Sequence, residues 1–323
     1  MTEVLRVENL VKSFPVLGGF WGRRIGRVHA VNDVSFSLNS SETLGIVGES
    51  GCGKSTLGRT LLRLYEADSG KVYFKNQNLL DLSRSELRRT RRDIQMIFQD
   101  PNESLNSRHT VEAILSEPLE IHGVGDRRSR KEAVQSLLAK VGLPDSTSNR
   151  YPHEFSGGQR QRIGIARAIA LNPSLIVCDE PVSALDVSIQ SQVLNLLLKL
   201  QNEMQLSYIF IAHNLAVVRH ISDRVAVMYL GEIVELTDAD SIYSQPLHPY
   251  TKALISAVPT PDPTEASERV VLKGDVPSPF HPPLGCVFHP RCPHAVDRCK
   301  REKPVLRDFG GHQIACHLAE ALG

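Results

Sequence analysis

The chain has 323 residues, of which 41% are hydrophobic and 23% charged, the balance of an ordinary folded protein. Lys and Arg total 37 against 36 Asp and Glu, and a net charge of +1 argues against bulk nucleic acid or an anionic membrane surface as the main partner. No apolar run reaches the ~18 to 20 residues of a membrane span, and the first residues lack the basic-then-apolar layout of a signal peptide.

Residues 5–11 and 34–38 alternate apolar with polar side chains, the period of half-buried strands. Between them, residues 15–27 hold Gly18, Gly19, Gly22, Gly26, Phe20, Trp21 and several arginines, and read as an exposed hairpin tip or loop. Residues 44–48 form a short buried strand before a glycine-rich turn. A helix then runs from Lys54 through Leu57, Leu61, Leu62 and Leu64. Arg84, Arg88, Arg89, Arg91 and Arg92 read as a solvated helix face, because no aromatic residue interleaves to stack on bases. Val111, Ile114, Leu115 and Leu119 fall at helical spacing, as do Ala133, Leu137, Leu138 and Val141, with Gly142 and Pro144 stopping the second run. A helix over 159–171 follows Ser156 and ends at Asn172-Pro173. Strand 175–178, helix 189–201, strand 208–212, helix 215–221 and a hairpin about Leu230-Gly231 complete the alternation. Such alternation predicts an α/β domain with a largely parallel sheet. After about Thr237 the composition changes. Residues 238–323 hold most of the prolines, and Pro259, Pro261 and Pro263 mark a stiff linker, so a small accessory domain is expected beyond it.

Gly48, Glu49, Ser50, Gly51, Cys52, Gly53, Lys54, Ser55 and Thr56 fit G-x-x-x-x-G-K-[S/T]. The glycines let the backbone curl so that successive N–H groups face one anion, and the next helix aims its positive end at the same point. Lys54 is placed to neutralise the β- and γ-phosphates of ATP, and the Ser55 hydroxyl to take one position on Mg²⁺. The apolar stretch 174–178 ends in Asp179 and Glu180. Carboxylates just past a buried strand are expensive unless they meet a cation. Asp179 then suits Mg²⁺ and Glu180 suits polarisation of the attacking water; capping of the next helix is the other use of such acids. Ser156, Gly157, Gly158, Gln159 and Arg160 make a second anion-ready helix start. One nucleotide does not need two such sites on one chain, so the second is expected to serve the nucleotide of another protomer.

With Gln99 after Met96-Ile97-Phe98, Ser183-Ala184-Leu185-Asp186 and His213, these motifs stand in the order that resembles the nucleotide-binding subunits of ABC transporters, over about residues 1–237. The resemblance implies an α/β P-loop NTPase of ABC type: a RecA-like core, an antiparallel β subdomain and a helical subdomain at about 100–170. It implies that Gln99 senses Mg²⁺ and the γ-phosphate and relays to the membrane subunits, that Asp186 lies at a dimer seam, and that His213 contacts the γ-phosphate. Phe14, where tyrosine is usual, would stack on adenine; core packing is its other reading. Asn214 departs from the Asp that commonly follows the histidine.

Stretches 47–56, 99–106, 151–162, 180–188 and 248–254 are similar to the peptide-importer ATPases of dipeptide/oligopeptide type, which extends the resemblance through the tail, residues 238–323. That branch implies a peripheral ATPase on the cytoplasmic face of the inner membrane, powering import of di- or oligopeptides. Its partners would be two transmembrane permease subunits, a second and different ATP-binding subunit, and an extracytoplasmic solute-binding protein, with no nucleic acid. Nickel and glutathione are alternative solutes within the branch. A soluble ABC ATPase acting on DNA or ribosomes is the rival, disfavoured by the lack of coiled-coil arms or a second cassette.

Cys52 and Cys178 read as small buried fillers. Cys286, Cys292, Cys299 and Cys316 are spaced C-x5-C-x6-C-x16-C. Four thiols in a proline-rich segment with little core of its own suggest a ligand cage rather than disulfides, which do not suit a reducing compartment. Zn²⁺ accepts four cysteines but usually through closely spaced pairs, absent here, whereas iron–sulfur clusters tolerate varied spacing. The resembled branch includes members with a [4Fe–4S] cluster in this tail, which favours that cluster over Zn²⁺. His289, His294, His312 and His317 are expected to be surface or packing residues.

Overall fold

The computed structural model describes residues 2–18, 23–258 and 270–322. In chain order the elements are β1 (Glu3–Gly18), β2 (Arg23–Asn39), β3 (Thr43–Val47), α1 (Lys54–Leu61), β4 (Ser69–Phe74), β5 (Gln77–Asn78), α2 (Arg84–Thr90), β6 (Ile94–Ile97), α3 (Pro101–Ser104), α4 (Val111–Ile121), α5 (Arg127–Lys140), α6 (Gly157–Ile169) and β7 (Leu175–Asp179). There follow α7 (Val187–Met204), β8 (Ser207–Ile211), α8 (Leu215–Ile221), β9 (Arg224–Tyr229), β10 (Glu232–Asp238), α9 (Ala239–Ser244), α10 (Pro249–Ser256), α11 (Asp297–Arg301), β11 (Arg307–Asp308), β12 (Gln313–Ile314) and α12 (Ala319–Leu322). The chain divides into two compact units. One comprises Met1–Val4, Leu38–Glu42 and Asp81–Ile211; the other Leu5–Ser37, Thr43–Leu80 and Ala212–Gly323.

In the first unit β7 lies between β6 and β8, paired in parallel with both: Ile94 opposes Leu175, and Asp179 opposes Ile211. Every residue of β7 and β8 is buried, which is why both read as unbroken apolar runs rather than alternations. Helices α4, α5 and α6 pack on one another, and α6 also packs on β6 and α7. Each of the three starts at a side-chain cap: Thr110, Asp126 and Ser156. Val134, not Ala133, joins Leu137 and Leu138 in the buried stripe of α5. The arginine-rich helix α2 buries no residue, as a solvated face requires.

In the second unit β1, β2, β4 and β5 make an antiparallel sheet in the order β2-β1-β4-β5. Strand β3 pairs in parallel with β9, from Leu44 opposite Arg224 to Val47 opposite Val227. The β9–β10 hairpin turns at Leu230 and Gly231, whose φ of 44° and 84° suit a tight two-residue turn. The tail continues this sheet: β12 pairs with β10 (Glu235 opposite Ile314) and β11 with β12.

Two expectations change. Of the two readings of 15–27, a hairpin tip or a loop, the strands favour the hairpin with longer arms than expected, since β1 reaches Gly18 and β2 starts at Arg23; a Cβ on Gly18 would lie 2.8 Å from Ile25 Cδ1. Phe20 and Trp21, like Pro259, Pro261 and Pro263, lie outside the described residues. Helix α1 stops at Leu61 rather than Leu64, because Arg63 turns left-handed (φ 50°) and its N–H returns to the Thr60 carbonyl at 2.9 Å.

The tail is anchored by one buried carboxylate. Glu235, fully buried, accepts the N–H groups of Leu247 (2.7 Å) and His248 (3.0 Å) and meets His312 Nε2 at 2.6 Å. His248 is itself buried, and its Nδ1 accepts the Tyr250 N–H at 3.1 Å, capping α10. Burial, opposed by the Glu235 charge, depresses His248 from 6.5 to about 4. The unfolded chain therefore takes up a proton near pH 6.5 that folded His248 refuses until about pH 4. Stability should fall by roughly 3 kcal/mol from this group as pH drops through that window, and no further below it. Urea unfolding midpoints across the window should lose this slope in His248→Asn, which keeps a capping acceptor and has no titrating group.

Candidate functional site

Strand β3 delivers the chain to Gly48, and the backbone then curls through Gly53 into α1. Two glycines are obligatory here. Gly48 has φ 154° and a Cβ on it would stand 2.1 Å from the Met228 carbonyl oxygen; Gly53 has φ 106° and would meet the Ala30 carbonyl oxygen at 1.9 Å. The loop is also held from outside: the Gly231 N–H donates to the Cys52 carbonyl at 2.9 Å. Lys54 is buried, and its ammonium donates to the carbonyls of Gly48 (2.8 Å) and Glu49 (3.0 Å), with Cys52 Sγ 3.8 Å away. Ser50 and Gly51 are exposed at the crest, while Ser55 and Thr56 are half-buried in the first turn of α1. A curled run of amides, a helix start and a lysine bound to neutral carbonyls and a thiol make a cradle for a polyanion.

Also in this unit, Phe14 is half-buried. Tyr65 meets its edge (centroids 5.3 Å, 85° apart) and Lys12 Nζ stands 5.0 Å from the ring centre. His213 is exposed just before α8, and Asn214 caps that helix by accepting the Ala216 N–H at 2.9 Å. Asparagine thus does the capping that an aspartate would do at this position.

In the other unit, fully buried Asp179 ends β7 and half-buried Glu180 follows. Glu180 has φ 46°, a left-handed conformation that costs a non-glycine residue about 1 kcal/mol. Its N–H donates to the Ile211 carbonyl (3.0 Å), and its own carbonyl accepts from the Ser183 hydroxyl (3.1 Å). This turn points the Glu180 carboxylate to Gln99, whose Nε2 donates to it at 3.2 Å. Ser156 caps α6 in a reciprocal box with Gln159: the Ser156 N–H donates to Gln159 Oε1 at 3.0 Å and the Gln159 N–H to Ser156 Oγ at 3.4 Å. Gly158 lets this helix start approach α7, since a Cβ on it would lie 2.5 Å from Ile189 Cγ2. Asp186 occupies the N-cap of α7 without a capping hydrogen bond, and Val187 beside it is 79% exposed.

The four tail cysteines come together. Cys286, Cys292, Cys299 and Cys316 are free thiols, and the Cys286 N–H donates to the Cys299 carbonyl at 2.8 Å. Burial, with the mutual repulsion of thiolates at Cys299, Cys316 and Cys292, pushes Cys286 up to about 12. Cys292 and Cys316 are raised for the same reasons. Among the described residues no three His, Cys, Asp or Glu side chains are arranged to hold a metal ion, so the four thiols do not form the expected ligand cage here. Of the neighbouring histidines, His289 Nδ1 bonds the Cys286 carbonyl (2.9 Å) and His317 Nε2 the Glu302 carbonyl (2.9 Å).

Comparison with known proteins fits these features. The chain is 56% identical over 319 residues to the oligopeptide transport ATP-binding protein AppF of Bacillus subtilis, covering 98% of this chain and 97% of that one. It belongs to the ABC transporter family of oligopeptide and dipeptide transport ATP-binding proteins. The ABC transporter family matches residues 31–183, and the oligopeptide/dipeptide transporter C-terminal region matches residues 234–299. The oligopeptide transport ATP-binding protein OppF of Escherichia coli is 53% identical over 325 residues, with 99% of this chain and 97% of that one covered. Among solved structures, the ATP-binding cassette MJ0796 in a dimeric post-hydrolysis state bound to ADP and Pi is similar at TM-score 0.65 and 29% identity, over 73% of this chain and 98% of that one. No helix of the described residues is long and apolar enough to cross a membrane.

Three contacts of this ABC cassette's phosphate loop carry no mark in the sequence. They come from Gly231, from Tyr250, whose hydroxyl accepts the Glu49 N–H at 2.9 Å, and from Arg291, whose Nη1 lies 2.9 and 3.2 Å from the two Glu49 carboxylate oxygens. No spacing rule ties position 49 to positions 250 or 291. The glycine requirement is directly testable. Gly53→Ala adds a methyl against the Ala30 carbonyl at a left-handed φ, and should weaken ATP binding at least about tenfold. Titration with a fluorescent ATP analogue checks this.

Proposed function

We propose that this chain is the ATP-hydrolysing subunit that powers import of di- or oligopeptides through a membrane ABC transporter. The observation that carries the reading is the phosphate cradle at residues 48–56, with its two obligatory glycines and buried Lys54. The match of residues 234–299 to the oligopeptide/dipeptide transporter C-terminal region supports the peptide class over nickel, glutathione or a soluble role. Lys54 and the loop amides hold the β- and γ-phosphates, Phe14 supports the adenine, and Ser55, Asp179 and Gln99 provide positions for Mg²⁺. Glu180 polarises the attacking water and His213 meets the γ-phosphate. The exposed helix start at Ser156, Gly157, Gly158 and Gln159, with Asp186, serves the nucleotide of a second ATP-binding subunit. From the cytoplasmic face of the inner membrane, closure on nucleotide and reopening after hydrolysis drive two permease subunits, to which an extracytoplasmic binding protein delivers the solute on the opposite side. In this reading residues 1–237 are the nucleotide-binding part, with a helical segment near 100–170. Residues 238–323 are the accessory segment.

The bond from Gln99 to Glu180 and the strained turn at Glu180 support the hydrolytic role, since both aim the carboxylate. Glu180→Gln should keep ATP binding and lower the hydrolysis rate by about 10²- to 10⁴-fold. Cells carrying only this variant should take up no labelled di- or oligopeptide; normal uptake would remove peptides as the obligatory cargo.

For the tail, the C-x5-C-x6-C-x16-C spacing favours a [4Fe–4S] cluster over Zn²⁺, held by Cys286, Cys292, Cys299 and Cys316 after a local rearrangement; the four free thiols themselves would serve either. Such a cluster would supply a covalent cross-link to a segment with little core of its own. Protein purified without oxygen should then contain iron and sulfide in equal amounts and absorb in the visible. Stoichiometric zinc without iron would favour the alternative.

A further inference from the structure

The catalytic motifs leave two buried groups beside the phosphate loop unexplained. Glu49 is the first variable residue of that loop, and its carboxylate is straddled by Arg291 Nη1 at 2.9 and 3.2 Å. The Arg291 side chain is only 9% exposed and that of Glu49 27%, so the pair is partly desolvated and unlike a surface ion pair. On the backbone side of the same residue, the Glu49 N–H is taken by the Tyr250 hydroxyl at 2.9 Å. Tyr250 is fully buried, with Tyr229 at 4.7 Å and Phe288 at 5.5 Å between ring centres, and Tyr229 meets Phe288 edge-on at 5.3 Å. This dry aromatic block fixes the hydroxyl in place.

An unpaired carboxylate at the mouth of a triphosphate cradle repels the nucleotide, and a mobile loop must be ordered at each binding event. The two contacts remove both penalties: the guanidinium neutralises and holds the carboxylate, and the phenol pins the backbone beside it. We propose that Arg291 and Tyr250, supplied by the C-terminal segment, are positioning residues that clamp Glu49 and preorganise the phosphate loop for ATP. The tail is in this respect part of the nucleotide site. The inference rests on the reading of residues 48–56 as the phosphate cradle.

The test uses the purified full chain, with ATP competing against trinitrophenyl-ATP in Mg²⁺, alongside steady-state hydrolysis and thermal melting. Because the clamp acts on ground-state binding, Arg291→Met should raise Kd and KM for ATP about tenfold, ~1.4 kcal/mol, while kcat stays within about twofold. Arg291→Lys should recover part of the loss. Adding Glu49→Gln to Arg291→Met removes the stranded carboxylate and should bring Kd back to within about threefold of the unmodified chain. Tyr250→Phe should raise Kd about threefold without changing kcat. If Arg291→Met fails to fold, Tyr250→Phe decides alone. Unchanged Kd in Tyr250→Phe or in folded Arg291→Met overturns the clamp, as does a double variant no better than Arg291→Met. Lys54→Ala separates the two readings. Its loss of ATP binding beside unaffected clamp variants overturns only the clamp, whereas full ATP binding in Lys54→Ala overturns the cradle and the clamp with it.

Discussion

A loop that curls tightly and leaves amide N–H groups open to an anion makes few hydrogen bonds of its own; within residues 48–53 the Cys52 N–H returns to the Glu49 carbonyl at 3.3 Å. The curl at residues 48–53 therefore has to be imposed by surrounding backbone. The carbonyls of Met228 and Ala30 occupy the space where side chains on Gly48 and Gly53 would lie, and the Gly231 N–H takes the Cys52 carbonyl. Each of these comes from the β2 strand or the β9–β10 hairpin, so the register of β3 against β9 and the two-residue turn at Leu230-Gly231 decide whether the cradle exists. The lysine inside it bonds neutral carbonyls and keeps its charge available for phosphate.

The residues proposed for hydrolysis obey a different constraint. Glu180 leaves β7 in a left-handed turn that no L-residue prefers, and is kept there by backbone bonds to Ile211 and Ser183. The strain aims a carboxylate rather than burying it. By contrast, the helix start at Ser156 closes its own capping box and stays exposed, as does Asp186. Such exposed, pre-formed helix starts suit an anion supplied by another chain.

The tail adds little apolar core yet is bound at several polar points. Glu235 gathers two N–H groups and His312 from different segments, and Lys303 reaches Glu232 at 2.9 Å. Phe288 enters the aromatic block of Tyr229 and Tyr250, and Arg291 reaches Glu49. The four free thiols lie in the same segment, where burial and neighbouring thiolates raise those of Cys286, Cys292 and Cys316.

Local pattern was enough for most elements: unbroken apolar runs marked β7 and β8, helical spacing marked α4 and α5, and Ser156 announced its own cap. It failed where the outcome was set at a distance. The 15–27 segment is glycine-rich, yet its arms pair as strands because strand partners override local turn preference. Helix α1 ends early because Arg63 turns away, donating through Nη1 to the Leu79 carbonyl at 3.3 Å. The residues proposed to hold phosphate, metal and water were readable because that chemistry requires fixed types at fixed spacing along one strand or turn. Arg291, Tyr250, Gly231 and the gathering of the four cysteines were decided only by tertiary structure. Those contacts join positions up to 242 residues apart, and a contact between distant segments leaves no period or spacing in the chain.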